Sequence, residues 1–316
     1  MDFNLTEEQL MIQQAARDFA QTELLPGVIE RDNEQKFPYE QVKKMGELGF
    51  LGMMVDPKYG GAGMDSVSYV LAIEEIAKID ASAAVVMSVN NSLVCAGLEK
   101  FASEEQKQKY LVPLAKGEVI GAFALSEPEA GSDATSQKTT AIDMGDHYLL
   151  NGTKNWITNG GNAQYYIVIA QTDVEKKHKG INAFIVEKGW EGFVIGKKEE
   201  KLGIRGSDTH SLMFTDVKVP KENRIGEDGF GFNFAMAVLN GGRIGIASQA
   251  LGIASGAYEL ALKYAKERKA FGTEIINHQA IAFKLADMHV NIMAARMLCY
   301  KAAAEKDAGL DISESG

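Results

Sequence analysis

The sequence predicts an α+β protein whose helices and strands are segregated along the chain, and three observations predict it. Up to about residue 117, apolar residues recur at helical spacing. From Val119 to about Ile225 the chain breaks into short β-branched or aromatic runs divided by turns. After Pro220 there is no proline at all, and two long helical patterns follow. The expected organisation is an N-terminal all-helical domain (1–117), a middle antiparallel β-barrel or sandwich (118–226) and a C-terminal helical bundle (227–316) represented by its first two helices. No repeat or low-complexity tract interrupts it.

In the first region Thr6-Glu7-Glu8-Gln9 forms a capping box, after which Ile12, Ala15, Ala16, Phe19 and Ala20 line one helical face until Pro26 ends the pattern. Pro38 suits the first turn of a helix carrying Val42, Met45 and Leu48, closed by Gly49. Tyr59 to Gly63 is a flexible loop, and Ser66 caps a helix through Val70, Ile73 and Ala77. Ala83 to Leu98, apolar on most sides, predicts a buried helix. Ser103-Glu104-Glu105-Gln106 is a second capping box.

The expected strands are Ile120–Leu125, His147–Leu150, Tyr165–Ala170, Ile181–Val186 and Ser211–Val219, with Gly145-Asp146 and Lys176–Gly180 as antiparallel connections. Phe232 to about Glu267 reads as one helix rich in small residues, which favours close backbone approach to a neighbour or ligand. A second helix runs from about Asn277 through Leu298 and ends near Gly309. Asp311 to Gly316 reads as the start of a further element.

Composition narrows the function. The net charge is −10 with no dense Lys/Arg block, which argues against nucleic acid or an anionic membrane as partner. The N-terminus lacks a signal-peptide layout, and no apolar run is expected to approach membrane-spanning length, so a cytoplasmic protein is expected. Cys95 and Cys299 read as inert thiols in a reduced compartment. The five histidines have no metal-ligand spacing, and Gly229-Phe230-Gly231 is a poor dinucleotide fingerprint.

Two segments carry the chemistry. Phe123-Ala124-Leu125-Ser126-Glu127-Pro128-Glu129-Ala130-Gly131-Ser132-Asp133 runs from a buried strand into a turn offering backbone N–H groups and hydroxyls. In Asn155-Trp156-Ile157-Thr158-Asn159-Gly160, Trp156 and Thr158 fall on one face of an extended strand. A flat aromatic beside a hydroxyl suits a planar heterocycle. Taken singly, such a turn is usually only a turn, and a strand tryptophan is usually core.

The pair FALSEPEAGSD and NWITNGG resembles the two flavin-contacting segments of the acyl-CoA dehydrogenase family, and the resemblance extends along essentially the whole chain, closest to the short-chain (butyryl-CoA type) members. It implies FAD as cofactor and an acyl-CoA thioester as substrate. A carboxylate removes the α-proton while the β-hydride goes to flavin N5, or the reverse, and electrons are exchanged with electron-transferring flavoprotein. It further implies a homo-oligomer, a tetramer built as a dimer of dimers. Carried over, Leu125 and Ser126 bond the pyrimidine end of the flavin, Trp156 packs on the ring system and Thr158 bonds near N5, with Phe123, Gly131 and Ile157 completing the flavin segments. Ser132 contacts the CoA side. Asn240 and Arg243 match CoA-contacting positions, although Asn240 departs from the aspartate common there, and Arg243 could equally be structural. Arg268, Phe271 and Gln279 match residues that reach the FAD of a neighbouring subunit; without the family they read as a helix–helix corner.

Neither glutamate position used as base in that family is filled. No Tyr-Glu-Gly-Thr type segment occurs, and the position before Arg243 is Gly242. The resemblance therefore implies an incomplete chain with little or no turnover of its own. The alternative to an enzyme is a non-catalytic flavin- or acyl-CoA-binding fragment. An oxidase-like use of oxygen suits the chain less well.

Overall fold

Thr6 and Gln9 exchange side-chain and backbone hydrogen bonds at 3.0 and 3.2 Å, and the expected capping box starts the first helix. The computed structural model describes residues 4–312, 314 and 315. The helical N-terminal part comprises α1 (Glu7–Phe19), α2 (Val28–Asn33), α3 (Tyr39–Glu47), α4 (Ser66–Ala77), α5 (Ala81–Ser88), α6 (Ala96–Phe101), α7 (Glu104–Gln106) and α8 (Val112–Ala115). Wider π-type turns follow α1 (Ala20–Leu24), join α5 to α6 (Val89–Cys95) and join α7 to α8 (Lys107–Leu111). Ser103 and Gln106 form the second expected box. Asp65, not Ser66, caps α4: its carboxylate accepts from the Ser68 amide at 2.7 Å. Ser66 is the first helical residue, and its own amide donates to Asp307 at 2.8 Å.

Eight strands make one sheet: β1 (Gly121–Ala124), β2 (Thr140–Asp143), β3 (His147–Thr158), β4 (Tyr165–Gln171), β5 (Ile181–Glu187), β6 (Phe193–Lys198), β7 (Thr209–Pro220) and β8 (Arg224–Ile225). The spatial order is β6-β7-β3-β2-β4-β5-β8, and β1 pairs with β4 in parallel. Of the expected antiparallel barrel or sandwich, no closed barrel forms, because β6 and β8 remain as edges, and the sheet is mixed rather than antiparallel, since β1 and, through the single pair Thr140 with Gln171, β2 run parallel to β4. β2 and β6 were not expected as strands. The hairpin at Gly145-Asp146 was, and there the Met144 amide bonds the His147 carbonyl at 2.9 Å.

After the sheet come α9 (Gly231–Glu267), a small hairpin of β9 (Lys269–Ala270) and β10 (Thr273–Glu274), and α10 (Gln279–Asp307). The element expected to begin at Asp311 falls partly on residues 313 and 316, which lie outside the described residues.

The chain groups into two compact units. One comprises Ile29–Met64 and Val85–Gly242, the other Met1–Val28, Asp65–Ala84 and Arg243–Gly316. In the first, β4 and β5 are buried on both faces. Tyr166, Val168, Phe184 and Val186 join a core with Leu150, Leu212 and Phe214. Ile167, Ile169, Ile181 and Ile185 join a second core with Leu98, Tyr110, Leu114 and Phe234. In the second unit a side-chain carbon at Gly252 would lie 2.5 Å from the Glu74 carbonyl oxygen, so the small residues of α9 do permit the expected close approach. One expectation needs correction: Ala81–Phe101 is a continuous helical stretch long and apolar enough to cross a membrane. Most of it is buried within the fold, as the reading of Ala83–Leu98 as a buried helix requires.

Candidate functional site

The two segments singled out above meet. The Asn155 amide at the end of β3 donates to the Ser126 carbonyl at 2.9 Å. The neighbouring Lys154 ammonium donates to the Leu125 carbonyl at 2.9 Å. β1 thus delivers Phe123, Leu125 and Ser126 to the end of β3 that carries Trp156, Ile157 and Thr158. Past Ser126 a tight turn closes through Glu127 and Ala130, whose amides and carbonyls pair at 2.9 and 3.3 Å, and Gly131 and Ser132 lie exposed beyond it.

Trp156 is not core. It is 57% exposed and has φ +57°, a left-handed conformation that bulky side chains rarely adopt. The register against β7 slips here, from Lys154 opposite Leu212 to Ile157 opposite His210, so Trp156 sits in a β-bulge. Ile157 is buried between exposed Trp156 and half-buried Thr158, but Trp156 is not extended as expected, so the bulge rather than a plain period of two sets where its side chain lies. Among the described residues, neither the Ser126 nor the Thr158 hydroxyl is bonded within the chain. An exposed ring with two free hydroxyls can receive a flat polar heterocycle, so these residues fit a flavin.

Beneath this face lies a polar cluster that sequence reasoning missed. The Lys154 ammonium, 0% exposed, also donates to Glu127 Oε1 at 2.7 Å and Gln137 Oε1 at 3.1 Å. Glu127, buried too, accepts the amides of Lys138 at 2.6 Å and Thr139 at 3.1 Å. Burial pulls the Lys154 ammonium down to about 8 against the opposing charge of Glu127. Burial alone would raise the Glu127 carboxyl, but Lys154 and the Lys138 amide outweigh it and hold it below the usual range. Downstream, the Asn159-Gly160-Gly161 turn wraps the Asp208 carboxylate, whose Oδ2 accepts the amides of Gly161 at 2.7 Å and Asn162 at 2.8 Å. A side chain at Gly161 would collide with that oxygen at 2.8 Å.

The remaining expected residues lie elsewhere. Asn240 is half-buried and Arg243 exposed, three residues apart on α9. Gly242 is buried, and a side chain there would meet Leu93 Cδ2 at 2.7 Å, so glycine is what that packing admits. Arg268, Phe271 and Gln279 are exposed, in the connection from α9 to α10 that carries the β9–β10 hairpin. Phe271 is 99% exposed with φ +55°.

A cavity of about 610 Å³ lined by residues such as Gln106, Lys109, Tyr110 and Arg224 contains none of the expected site residues. No cluster of metal-ligating side chains occurs among the described residues.

Three family models match in succession: acyl-CoA dehydrogenase N-terminal domain over residues 6–118, middle domain over 122–217 and C-terminal domain over 229–315. The chain belongs to the acyl-CoA dehydrogenase family. It is 53% identical over 310 residues to a short-chain specific acyl-CoA dehydrogenase of Clostridium acetobutylicum, covering 98% of this chain and 82% of the relative. Among solved structures it is similar to butyryl-CoA dehydrogenase from Megasphaera elsdenii. That match has a TM-score of 0.98 and 48% identity, covering 100% of this chain and 83% of the other. A structure described as "Electron transferring flavoprotein of Acidaminococcus fermentans: Towards a mechanism of flavin-based electron bifurcation" contains a chain matching at TM-score 0.98 and 50% identity, with the same coverage. The acyl-CoA dehydrogenase C-terminal domain is thus represented, and the matches that cover nearly the whole of this chain give no support to the expected inactivity.

Proposed function

We propose that this acyl-CoA dehydrogenase chain binds FAD and acts on short-chain acyl-CoA thioesters, interconverting the saturated and α,β-unsaturated forms and exchanging electrons with electron-transferring flavoprotein. The observation that carries the reading is Trp156, held exposed at positive φ beside the free hydroxyls of Ser126 and Thr158. The names of the relatives support the short acyl thioester, and the Acidaminococcus structure supports the flavoprotein partner.

When bound, FAD supplies the hydride acceptor. The chain's own part is positional and electrostatic. The Trp156 side chain offers a wall for the ring system, Ser126 a donor at its polar end, and Thr158 a donor near the position that receives the hydride; preorganised donors of this kind stabilise incoming negative charge. Phe123, Leu125, Gly131 and Ile157 shape the same face, while Ser132, Asn240 and Arg243 serve the CoA moiety. The exposed Arg268, Phe271 and Gln279 serve the flavin of a neighbouring subunit in a homo-oligomer.

The test is the visible spectrum of the purified protein with FAD, before and after anaerobic addition of butyryl-CoA. The reading expects retained flavin absorption that bleaches with the thioester. A protein that takes up no flavin overturns it, and flavin that is held but never bleaches overturns the dehydrogenation by these residues while leaving the flavin site.

A further inference from the structure

Among the described residues Lys154 is the only buried lysine or arginine, and it lies two residues before Trp156 with its φ of +57°. Its surroundings explain why a charge is kept there. The ladder with β7 skips from Lys154 to Ile157, so Asn155 and Trp156 have no partner on that strand. The chain just before Trp156 is instead bonded to the turn after β1. Two adjacent residues grip that turn. Asn155 holds the Ser126 carbonyl through its amide, and Lys154 holds the Leu125 carbonyl at 2.9 Å while binding Glu127 and Gln137 from beneath.

We propose that Lys154 is a positioning residue for the flavin face, fixing the Ser126 turn against the Trp156 bulge and so setting hydroxyl and ring at one spacing. The purpose rests on the flavin reading above; the placement rests on the bonds alone. A buried ion pair adds little stability over apolar residues of similar volume, whereas one that also takes up a backbone carbonyl fixes a geometry. Lys154 touches neither reacting atom nor cofactor in this account and acts through Leu125 and Glu127.

The experiment uses the full chain in a Trp190→Phe background, which leaves Trp156 as its only tryptophan. Lys154→Met is compared with Lys154→Met/Glu127→Gln, which removes both charges and avoids an unpaired buried carboxylate. Thermal melting, Trp156 fluorescence anisotropy without flavin, and the FAD dissociation constant are measured. The double variant is expected to melt near the parent, yet show lower Trp156 anisotropy and FAD binding weaker by about tenfold. A double variant with parental anisotropy and parental FAD affinity overturns the proposal. If the lysine variants fail to fold, Gln137→Leu removes one acceptor and leaves the ion pair; lowered anisotropy supports the proposal and unchanged anisotropy overturns it. A parent that takes up no FAD defeats the flavin reading, while the anisotropy comparison still decides the placement.

Discussion

At the scale of the residue, Trp156 holds a conformation that costs on the order of 1–3 kcal/mol for a non-glycine residue and persists only where its surroundings over-determine it. Its side chain is mostly exposed, so packing returns little of that cost. Asparagine tolerates positive φ, and Trp156→Asn is therefore expected to leave the flavin-free protein as stable or more stable, by up to about 1 kcal/mol in urea denaturation. The same change should weaken FAD binding by at least about tenfold. A variant that loses stability and keeps its flavin affinity would show that the ring serves the fold. Part of this was legible: the two segments stand out by their residue types, whereas the bulge does not, since nothing in Asn155-Trp156-Ile157 marks a register slip. Lys154 was legible in principle. Tyr148, Leu150, Gly152 and Lys154 share one phase of β3, and a lysine on the buried phase demands an acid and acceptors nearby.

At the scale of the element, Glu74 and Glu75 show how a helix with little polar face is held. Both are buried on α4, and neighbouring helical positions point in different directions. Glu75 is met by Arg17 of α1 at 2.9 Å, and Glu74 by Arg296 of α10 at 2.6 Å with Tyr300 at 3.1 Å. Arg296→Met leaves Glu74 buried without its cation and is expected to cost about 3–5 kcal/mol in denaturant unfolding. Adding Glu74→Gln should recover much of it. If the single variant costs under about 1 kcal/mol, the pair is no more than a surface bridge. Local signals carried the elements well: both capping boxes, the strand cores and the long helices follow from propensity and spacing. β2 and β6 escaped because Thr140–Asp143 is short and Phe193–Lys198 ends in lysines. The open sheet escaped because the pairing of β1 with β4 joins segments some forty residues apart, which no local pattern encodes.

At the scale of the whole molecule, the order helix, sheet, helix was legible, but the division into units was not. One uninterrupted helix, α9, contributes its first twelve residues to one unit and the rest to the other, and composition carries no mark of that change. What composition does carry is a conflict: a net charge of −10 opposes association, while Phe271, Phe283, Val290 and Leu298 are all more than half exposed. Phe271 is the sharpest case. It occupies the first position of a two-residue hairpin turn with Gly272, φ +55° followed by +81°, where asparagine followed by glycine would be the favoured pair. An aromatic residue set there against its conformational preference, and fully in solvent, is the first position to test for contact with another copy in the proposed homo-oligomer. Phe271→Asn is accordingly expected to relieve the turn and raise or preserve thermal stability of the dissociated chain. Sedimentation equilibrium should at the same time show association weakened by about tenfold or more, the scale of losing an aromatic anchor. Association resting on apolar contact should also survive 1 M salt, where screening removes the repulsion between like-charged copies. Unchanged association of the Phe271→Asn protein would remove the hairpin from the interface and leave the α10 residues Phe283, Val290 and Leu298 as the next positions to substitute.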